Sequence, residues 1–195
     1  MKRGRLIAIE GSSASGKSSL IEALLADPLF DLKPLKRVTT RERRPKDPKE
    51  DQDYRFIAMA EFRQLAADSA FIEYRNYLFG MSYGILKSDV EAIVSTGHNA
   101  LALTNLTMGN EIKRVMPDAI TIFIWSDPTA VEARLRARGQ NTEEQITERV
   151  ENARKAVEGD HSGHDLVVEN RQGHLEDTIQ EIDSFIRAEL GNDTE

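Results

Sequence analysis

The sequence of 195 residues contains no cysteine. Disulfides, thiolate metal sites and cysteine nucleophiles are therefore excluded, and we expect a reducing, cytoplasmic location. No apolar run approaches the ~20 residues that a membrane-spanning helix requires, and the basic start is not followed by a signal-peptide pattern. We accordingly predict a protein without a membrane partner.

Positive charge is not in excess either. The chain has 26 Lys and Arg against 33 Asp and Glu, which gives a net charge of −7. A net-negative surface repels the phosphate backbone of nucleic acids, so we expect small-molecule partners and no nucleic acid. The length fits a single domain of residues 1–195, as a monomer or a homodimer.

A phosphate-binding pattern is present near the start of the chain. Residues 11–18 read GSSASGKS and fit the P-loop pattern G-x-x-x-x-G-K-[ST]. Glycines let the backbone N–H groups turn inward around phosphates, the Lys17 ammonium would reach the β- and γ-phosphates, and the Ser18 hydroxyl would bind Mg²⁺. The predicted triphosphate-binding residues are Gly11, Ser12, Ser13, Ala14, Ser15, Gly16, Lys17, Ser18 and Ser19.

Apolar segments alternate with helix-forming segments along the chain. Strands are predicted at 5–10, 34–40, 70–77, 99–105, 118–125 and 165–169, and helices at 17–26, 59–67, 87–96, 108–115, 128–138, 143–158 and 174–190. This order predicts an α/β fold of the P-loop NTPase type, a parallel sheet flanked by helices. The core is predicted at 1–40 and 86–190, with a small inserted acceptor-binding lobe at about 41–85.

Arginines cluster in two places although the chain is acidic. Four of them lie between residues 37 and 44, and a second group lies on the predicted helix 128–138 with Arg149 one helix further on. Arg134 and Arg138 are four residues apart and share a helix face. Because the guanidinium fork binds phosphate oxygens in pairs, we predict an arginine-rich lid over about 134–149 that stabilises a transferring phosphoryl group.

Two histidines form a His-x-x-His pattern at His161 and His164. No third ligand stands near them in the sequence, so the pattern predicts a plain loop and no metal site. Glu10, directly before the P-loop, is a candidate for supplying a carboxylate near Mg²⁺.

Together these residues resemble the guanylate kinases, which phosphorylate GMP from ATP. The resemblance runs over almost the whole chain. Its motifs are TTRERRP at 39–45, DYRFI at 53–57, FIEY at 71–74, YG at 83–84 and the lid motif at 134–144.

The resemblance implies a role for each matched residue. Arg41, Arg44, Tyr54 and Tyr83 would hold the acceptor phosphate, and Glu73 would accept hydrogen bonds from guanine. Lys17, Arg134, Arg138 and Arg149 would act on the transferring phosphoryl group, and Asn170 would lie near the donor adenine. Mg²⁺ with ATP is the implied cofactor, and GMP or dGMP the implied acceptor.

Four positions depart from the family pattern. Arg37 replaces a serine that helps to read the base, Ile85 a serine or threonine, Asn105 a base-side aspartate and Leu103 an acidic residue near Mg²⁺. Arg37 and Asn105 remain predicted acceptor-site residues. These departures leave two alternatives: an enzyme similar to ribose 1,5-bisphosphate phosphokinases, or a non-catalytic guanylate-kinase-like binding module.

Overall fold

The first strand of the chain lies at the centre of a parallel sheet. The computed structural model describes residues 2–43, 50–76, 81–104 and 109–191. The strands are β1 (Leu6–Gly11), β2 (Leu32–Pro34), β3 (Arg37–Thr39), β4 (Tyr54–Phe56), β5 (Phe71–Asn76), β6 (Ser82–Leu86), β7 (Asn99–Leu103), β8 (Ile120–Trp125) and β9 (Leu166–Glu169). The α-helices are α1 (Lys17–Ala26), α2 (Glu50–Asp53), α3 (Met59–Ala67), α4 (Lys87–Val94), α5 (Gly109–Val115), α6 (Pro128–Arg138), α7 (Glu143–Glu158) and α8 (Leu175–Gly191), and a 3₁₀ turn spans Pro28–Phe30.

The central sheet has the strand order β2-β7-β1-β8-β9, and each neighbouring pair is parallel. All six residues of β1 are buried, as expected for a strand that is covered on both faces. Its register pairs Ile9 with Leu103 on one side and Glu10 with Phe123 on the other. The P-loop therefore begins at the carboxyl edge of the sheet, where ligands bind in open α/β folds.

Alternate residues of β1 pack into two different cores. Ile7 and Ile9 join one cluster with Leu20 of α1 and Ile182 of α8. Leu6 and Ala8 join a second cluster that contains buried residues of α4 and α5. This period of two places helices on both faces of the sheet and confirms the predicted fold class.

A second sheet of four strands has the order β4-β3-β6-β5. Its β3–β4 pair is parallel, whereas β6 runs antiparallel to both β3 and β5. The single strand predicted at 34–40 is wrong, because β2 pairs with β7 in the central sheet and β3 belongs to the second one. The proposed lobe boundary at residue 41 stays a prediction, with β3 preceding it.

Helices α6 and α7 form a separate helical pair with its own buried cluster, which includes Val131 and Leu135. Gly139 ends α6 at a φ of +62°, and Thr142 starts α7 with a capping box to Gln145. The helices predicted at 128–138 and 143–158 thus have the predicted boundaries, which these two residues explain, since glycine tolerates a positive φ and threonine caps helix N-termini. Ala14 of the P-loop packs against the same cluster.

No helix among the described residues is long and apolar enough to cross a membrane.

Candidate active site

The P-loop turns tightly between β1 and α1. Gly11 and Gly16 have positive φ angles of +148° and +100°. A Cβ at Gly11 would lie 2.0 Å from the Ile124 carbonyl oxygen, and one at Gly16 would lie 2.2 Å from Asn170 Nδ2. Backbone conformation and close packing therefore both require the motif glycines. Ser12 and Ser15 are buried, whereas Ser18 and Ser19 are exposed on the first turn of α1.

Lys17 lies inside this turn. Its ammonium donates hydrogen bonds to the carbonyl oxygen of Gly11 at 2.7 Å, to the carbonyl of Ser12 and to Ser15 Oγ. Burial, with a further contribution from the charge of Arg37, lowers the pKa of Lys17 to about 7. A negative phosphate beside this ammonium would favour its charged form.

Arg134 joins the lid to the P-loop. Its guanidinium donates to the Ala14 carbonyl at 3.1 Å, to Ser126 Oγ at 2.8 Å and to the Asn170 carbonyl at 3.0 Å. A further bond runs to Gln172 Oε1 at 3.1 Å. Burial and the neighbouring Arg138 charge lower the pKa of Arg134. Arg134 thus holds the backbone of the P-loop in place.

The other predicted lid arginines lie on the same helical pair. Arg149 of α7 donates to Ser13 Oγ at 2.7 Å and so contacts the P-loop directly. Arg138 is exposed on the last turn of α6. The structure therefore brings Arg134 and Arg149 to the P-loop, and it leaves Arg138 at the solvent edge of the lid.

Asn170 follows β9 and is 2% exposed. Its side-chain amide donates to the carbonyl oxygen of Ser15 at 2.9 Å. This contact makes Asn170 a support of the P-loop; its predicted position near an adenine stays a prediction.

A buried carboxylate–imidazole pair lies behind the P-loop. His164 Nε2 is 2.8 Å from Glu10 Oε2, and the two side chains are 1% and 0% exposed. The ring of His161 stacks on Phe123 with the centroids 4.1 Å apart. Both histidines lie in a loop, as predicted, whereas the burial of His164 against Glu10 was not predicted. Sequence spacing does not reveal a partner 154 residues away.

Aromatic rings surround the arginines of the acceptor lobe. The Arg41 guanidinium lies 4.7 Å from the centroid of the Tyr54 ring and 5.2 Å from that of Phe56, and Arg43 lies 4.4 Å from Phe56. Arg41 is 9% exposed. Stacking on aromatic faces fixes the plane of the guanidinium, and Arg41 Nη1 donates to the Glu42 carbonyl oxygen at 2.9 Å. The predicted residues Arg44 and Asn105 lie outside the described residues.

Arg37 of β3 and Glu73 of β5 are charged groups buried deeply in the second sheet. They are 8% and 4% exposed, and the Arg37 guanidinium lies 5.0 Å from the centroid of the Tyr83 ring. Within the described part of the chain, Arg37 Nε and Glu73 Oε1 have no hydrogen-bond partner. Burial raises the pKa of Glu73 to about 7, against the opposing effect of the Arg37 charge.

A cavity of about 380 Å³ lies between α1 and the acceptor lobe. Ser18, Arg37, Tyr54 and Leu103 are among the residues that line it, together with the carboxylates of Glu22 and Asp53. The described residues contain no group of three or more His, Cys, Asp or Glu side chains that would hold a metal by themselves. Hydroxyl and carboxylate oxygens around a phosphate site fit Mg²⁺, which is usually shared with substrate phosphates and water.

Comparison with known proteins gives a consistent result. The family model described as "Guanylate kinase" matches residues 3–189. A guanylate kinase of Yersinia pestis is 34% identical over 97% of this chain and 90% of its own length. That of Escherichia coli K12 is 33% identical over 97% and 90%. A crystal structure of guanylate kinase from Anaplasma phagocytophilum superposes with a TM-score of 0.68 and 24% identity, over 97% of this chain and 87% of the other, and shows the shared fold.

Proposed function

The chain belongs to the guanylate kinase family, and we propose that it transfers the γ-phosphoryl group of ATP to GMP, giving ADP and GDP. The observation that carries this proposal is the contact between the P-loop and the lid. Lys17 lies within the loop, and Arg134 and Arg149 reach the same loop from the lid. Positive charge thus surrounds the position where a triphosphate would bind.

Phosphoryl transfer depends mainly on positioning and on charge stabilisation. The P-loop amides and Lys17 would hold the β- and γ-phosphates. Arg149 and Arg138 would stabilise charge on the transferring group, while Arg134 keeps the loop backbone and the lid together. The acceptor is itself a phosphate oxygen that is anionic near neutral pH, so the reaction needs no general base.

The acceptor would lie across the cavity from the P-loop. Arg41 and Tyr54, which are stacked on each other, would bind its phosphate with Arg44 and Tyr83. Glu73 would accept hydrogen bonds from the guanine N–H donors. Holding both phosphates in one cavity converts a bimolecular reaction into transfer within a single complex.

Mg²⁺ would be held by the Ser18 hydroxyl together with ATP phosphates and water. When bound, it would neutralise charge on the β- and γ-phosphates. Leu103 supplies no oxygen to it, and the Glu10 carboxylate is paired with His164. Ser18 is therefore the protein ligand that we assign. We also propose a cytoplasmic enzyme, monomeric or homodimeric, that acts on small-molecule nucleotides.

The test is release of ADP in a coupled assay with ATP and Mg²⁺. The acceptor panel is GMP, dGMP, AMP, dTMP, CMP and ribose 1,5-bisphosphate. We expect turnover with GMP and dGMP to exceed turnover with the other acceptors. Faster turnover with ribose 1,5-bisphosphate would assign the chain to the sugar-phosphate alternative. If none of the acceptors gave turnover, the binding-module alternative would be supported.

A further inference from the structure

We propose that Arg37 is a specificity-determining residue that binds the O6 and N7 edge of the guanine base. This inference rests on the proposed function, since it names how the acceptor of that reaction is recognised. It assigns a base contact to an arginine at the position where the family has a serine.

Extending the sheet register by one residue would bring Arg37 and Glu73 into one row. Val38 pairs with Gly84 and Thr39 with Tyr83, so the next residues in the same antiparallel direction are Arg37 and Ile85. Ile85 in turn pairs with Glu73. The two charged residues are thus two inter-strand spacings apart, or about 10 Å between backbones. That separation leaves their side chains on either side of one buried apolar residue.

Both charged side chains are buried and lack part of their hydrogen bonding. They are more than nine-tenths buried, and among the described residues neither Arg37 Nε nor Glu73 Oε1 finds a hydrogen-bond partner. An unsatisfied buried polar atom costs about 1–3 kcal/mol, so each of these two atoms calls for a partner, which a bound ligand would supply. The ring of Tyr83 lies under the Arg37 guanidinium and holds its plane.

The ligand that completes this pair must carry donors and acceptors side by side. Guanine does so: its N1–H and N2–H groups donate, and its O6 and N7 atoms accept next to them. Arginine bound bidentately to O6 and N7 is the commonest specific contact to guanine. A second phosphate placed here would satisfy Arg37 but would face the Glu73 carboxylate, whereas guanine satisfies both.

The phosphate end of the acceptor already has its own arginine. Arg41 is stacked between Tyr54 and Phe56. Arg37 lies on the neighbouring ring of Tyr83, whose centroid is 6.1 Å from that of Tyr54. The two arginines therefore lie on adjacent rings of one aromatic cluster, and Arg37 is the one whose charge acts on the pKa of Glu73.

The experiment measures kcat/KM for GMP, 7-deaza-GMP and IMP with the wild-type protein and Arg37→Ser. 7-Deaza-GMP lacks the N7 acceptor, and IMP lacks the 2-amino group but keeps O6 and N7. We expect the wild-type protein to prefer GMP over 7-deaza-GMP and Arg37→Ser to lose that preference. Serine, which the family has at this position, can donate one hydrogen bond but not two, so kcat/KM for GMP and for IMP should fall by a similar factor, roughly 5-fold, the lower end of the value of a bidentate contact.

Two further variants keep the result interpretable. Arg55→Ser, on the adjacent strand, removes an arginine whose side chain is 50% exposed, and it should leave all three values unchanged. Arg37→Lys keeps the charge but lacks the planar fork, so it should discriminate between GMP and 7-deaza-GMP less than the wild-type protein does. The wild-type comparison of acceptors stands even if Arg37→Ser fails to fold.

Equal losses for GMP and 7-deaza-GMP in Arg37→Ser would overturn the inference, because Arg37 would then bind the phosphate or support the lobe. No wild-type preference for GMP over 7-deaza-GMP would overturn it as well. In both cases the proposed function would survive. Absence of any turnover of GMP by the wild-type protein would instead overturn the proposed function and this inference with it.

Discussion

The P-loop and the acceptor lobe differ in how their buried charged side chains are hydrogen-bonded. Lys17 and Arg134 donate their hydrogen bonds to backbone carbonyl and side-chain oxygens of the protein itself. In the lobe, Arg37 and Glu73 are buried with atoms that find no partner among the described residues. The two cations of the P-loop are thus held by contacts within the protein, although the neighbouring Asn170 Oδ1 also has no partner among the described residues. Arg37 and Glu73 keep hydrogen-bonding capacity that the proposed acceptor would use.

This contrast matches the chemistry of the two sites. A triphosphate site must hold the same group in every reaction, so contacts within the protein can fix its shape in advance. A site that selects an acceptor depends on leaving a group unpaired when the wrong molecule binds. Two departures from the family pattern, Arg37 and Ile85, lie in the second sheet, on the side of the proposed acceptor.

The largest effect on kcat is expected from the replacement of Lys17 in the P-loop. Lys17→Ala removes the ammonium that we propose to bind the β- and γ-phosphates, and kcat should fall by roughly 10³-fold or more. Steady-state kinetics with ATP and GMP measure this loss.

The matched control is Lys155→Ala, which removes a lysine that is 68% exposed on α7 and should leave kcat unchanged. Unchanged kcat in Lys17→Ala would contradict the assignment of the P-loop.

The Glu10–His164 pair supports the loop half from behind. His164→Leu leaves a buried carboxylate without its imidazole, and breaking a buried pair in this way costs about 3 kcal/mol in the free energy of unfolding. Urea titration measures that loss. The double variant Glu10→Leu/His164→Leu should recover most of it, because an apolar pair of similar volume carries no desolvation penalty. A single variant as stable as the wild-type protein would show that the pair contributes nothing.

A smaller effect, on pH dependence, tests the lobe half. The pKa of Glu73 is raised to about 7 by burial, so the carboxyl is protonated below that pH and ionised above it. The ionised form accepts both guanine N–H bonds. The KM for GMP should therefore fall as pH rises from 6 to 8, by up to about tenfold per pH unit on the acidic side. Glu73→Gln should show only the titration of the substrate phosphate, and an identical profile in both proteins would exclude this role.

The smallest predicted signal is proton uptake at Lys17. Burial lowers its pKa to about 7, so at pH 8 most of the protein carries the neutral amine. Bound phosphates favour the ammonium, and ATP binding should take up a fraction of a proton at pH 8 and almost none at pH 6. Calorimetry in two buffers of different ionisation enthalpy measures this uptake. The same uptake in Lys17→Ala would assign it to another group.

Much of the loop half is predictable from the sequence. Gly16, Lys17, Gly139 and Thr142 act through local rules, namely positive φ angles, a short motif and a helix cap. Those rules operate within a few residues: Gly16 and Gly139 have positive φ angles and Thr142 caps α7, while the phosphate-binding role of Lys17 stays a prediction.

Long-range pairings could not be predicted in this way. The 34–40 segment reads as one strand because its apolar pattern is continuous, but its halves pair with different partners. His164 meets Glu10 only because β9 and β1 lie in the same sheet. The register that pairs Glu73 with Ile85 and Val38 with Gly84 is likewise a property of the folded sheet.

Phosphorus NMR of one reaction mixture tests the central claim most directly. The protein is incubated with ATP, Mg²⁺ and GMP, and the nucleotide resonances are followed until they are constant. We predict that GDP and ADP appear together in equal amounts at the expense of ATP and GMP. Release of inorganic phosphate without GDP, or no change in the spectrum, would contradict the assignment of a GMP-phosphorylating enzyme.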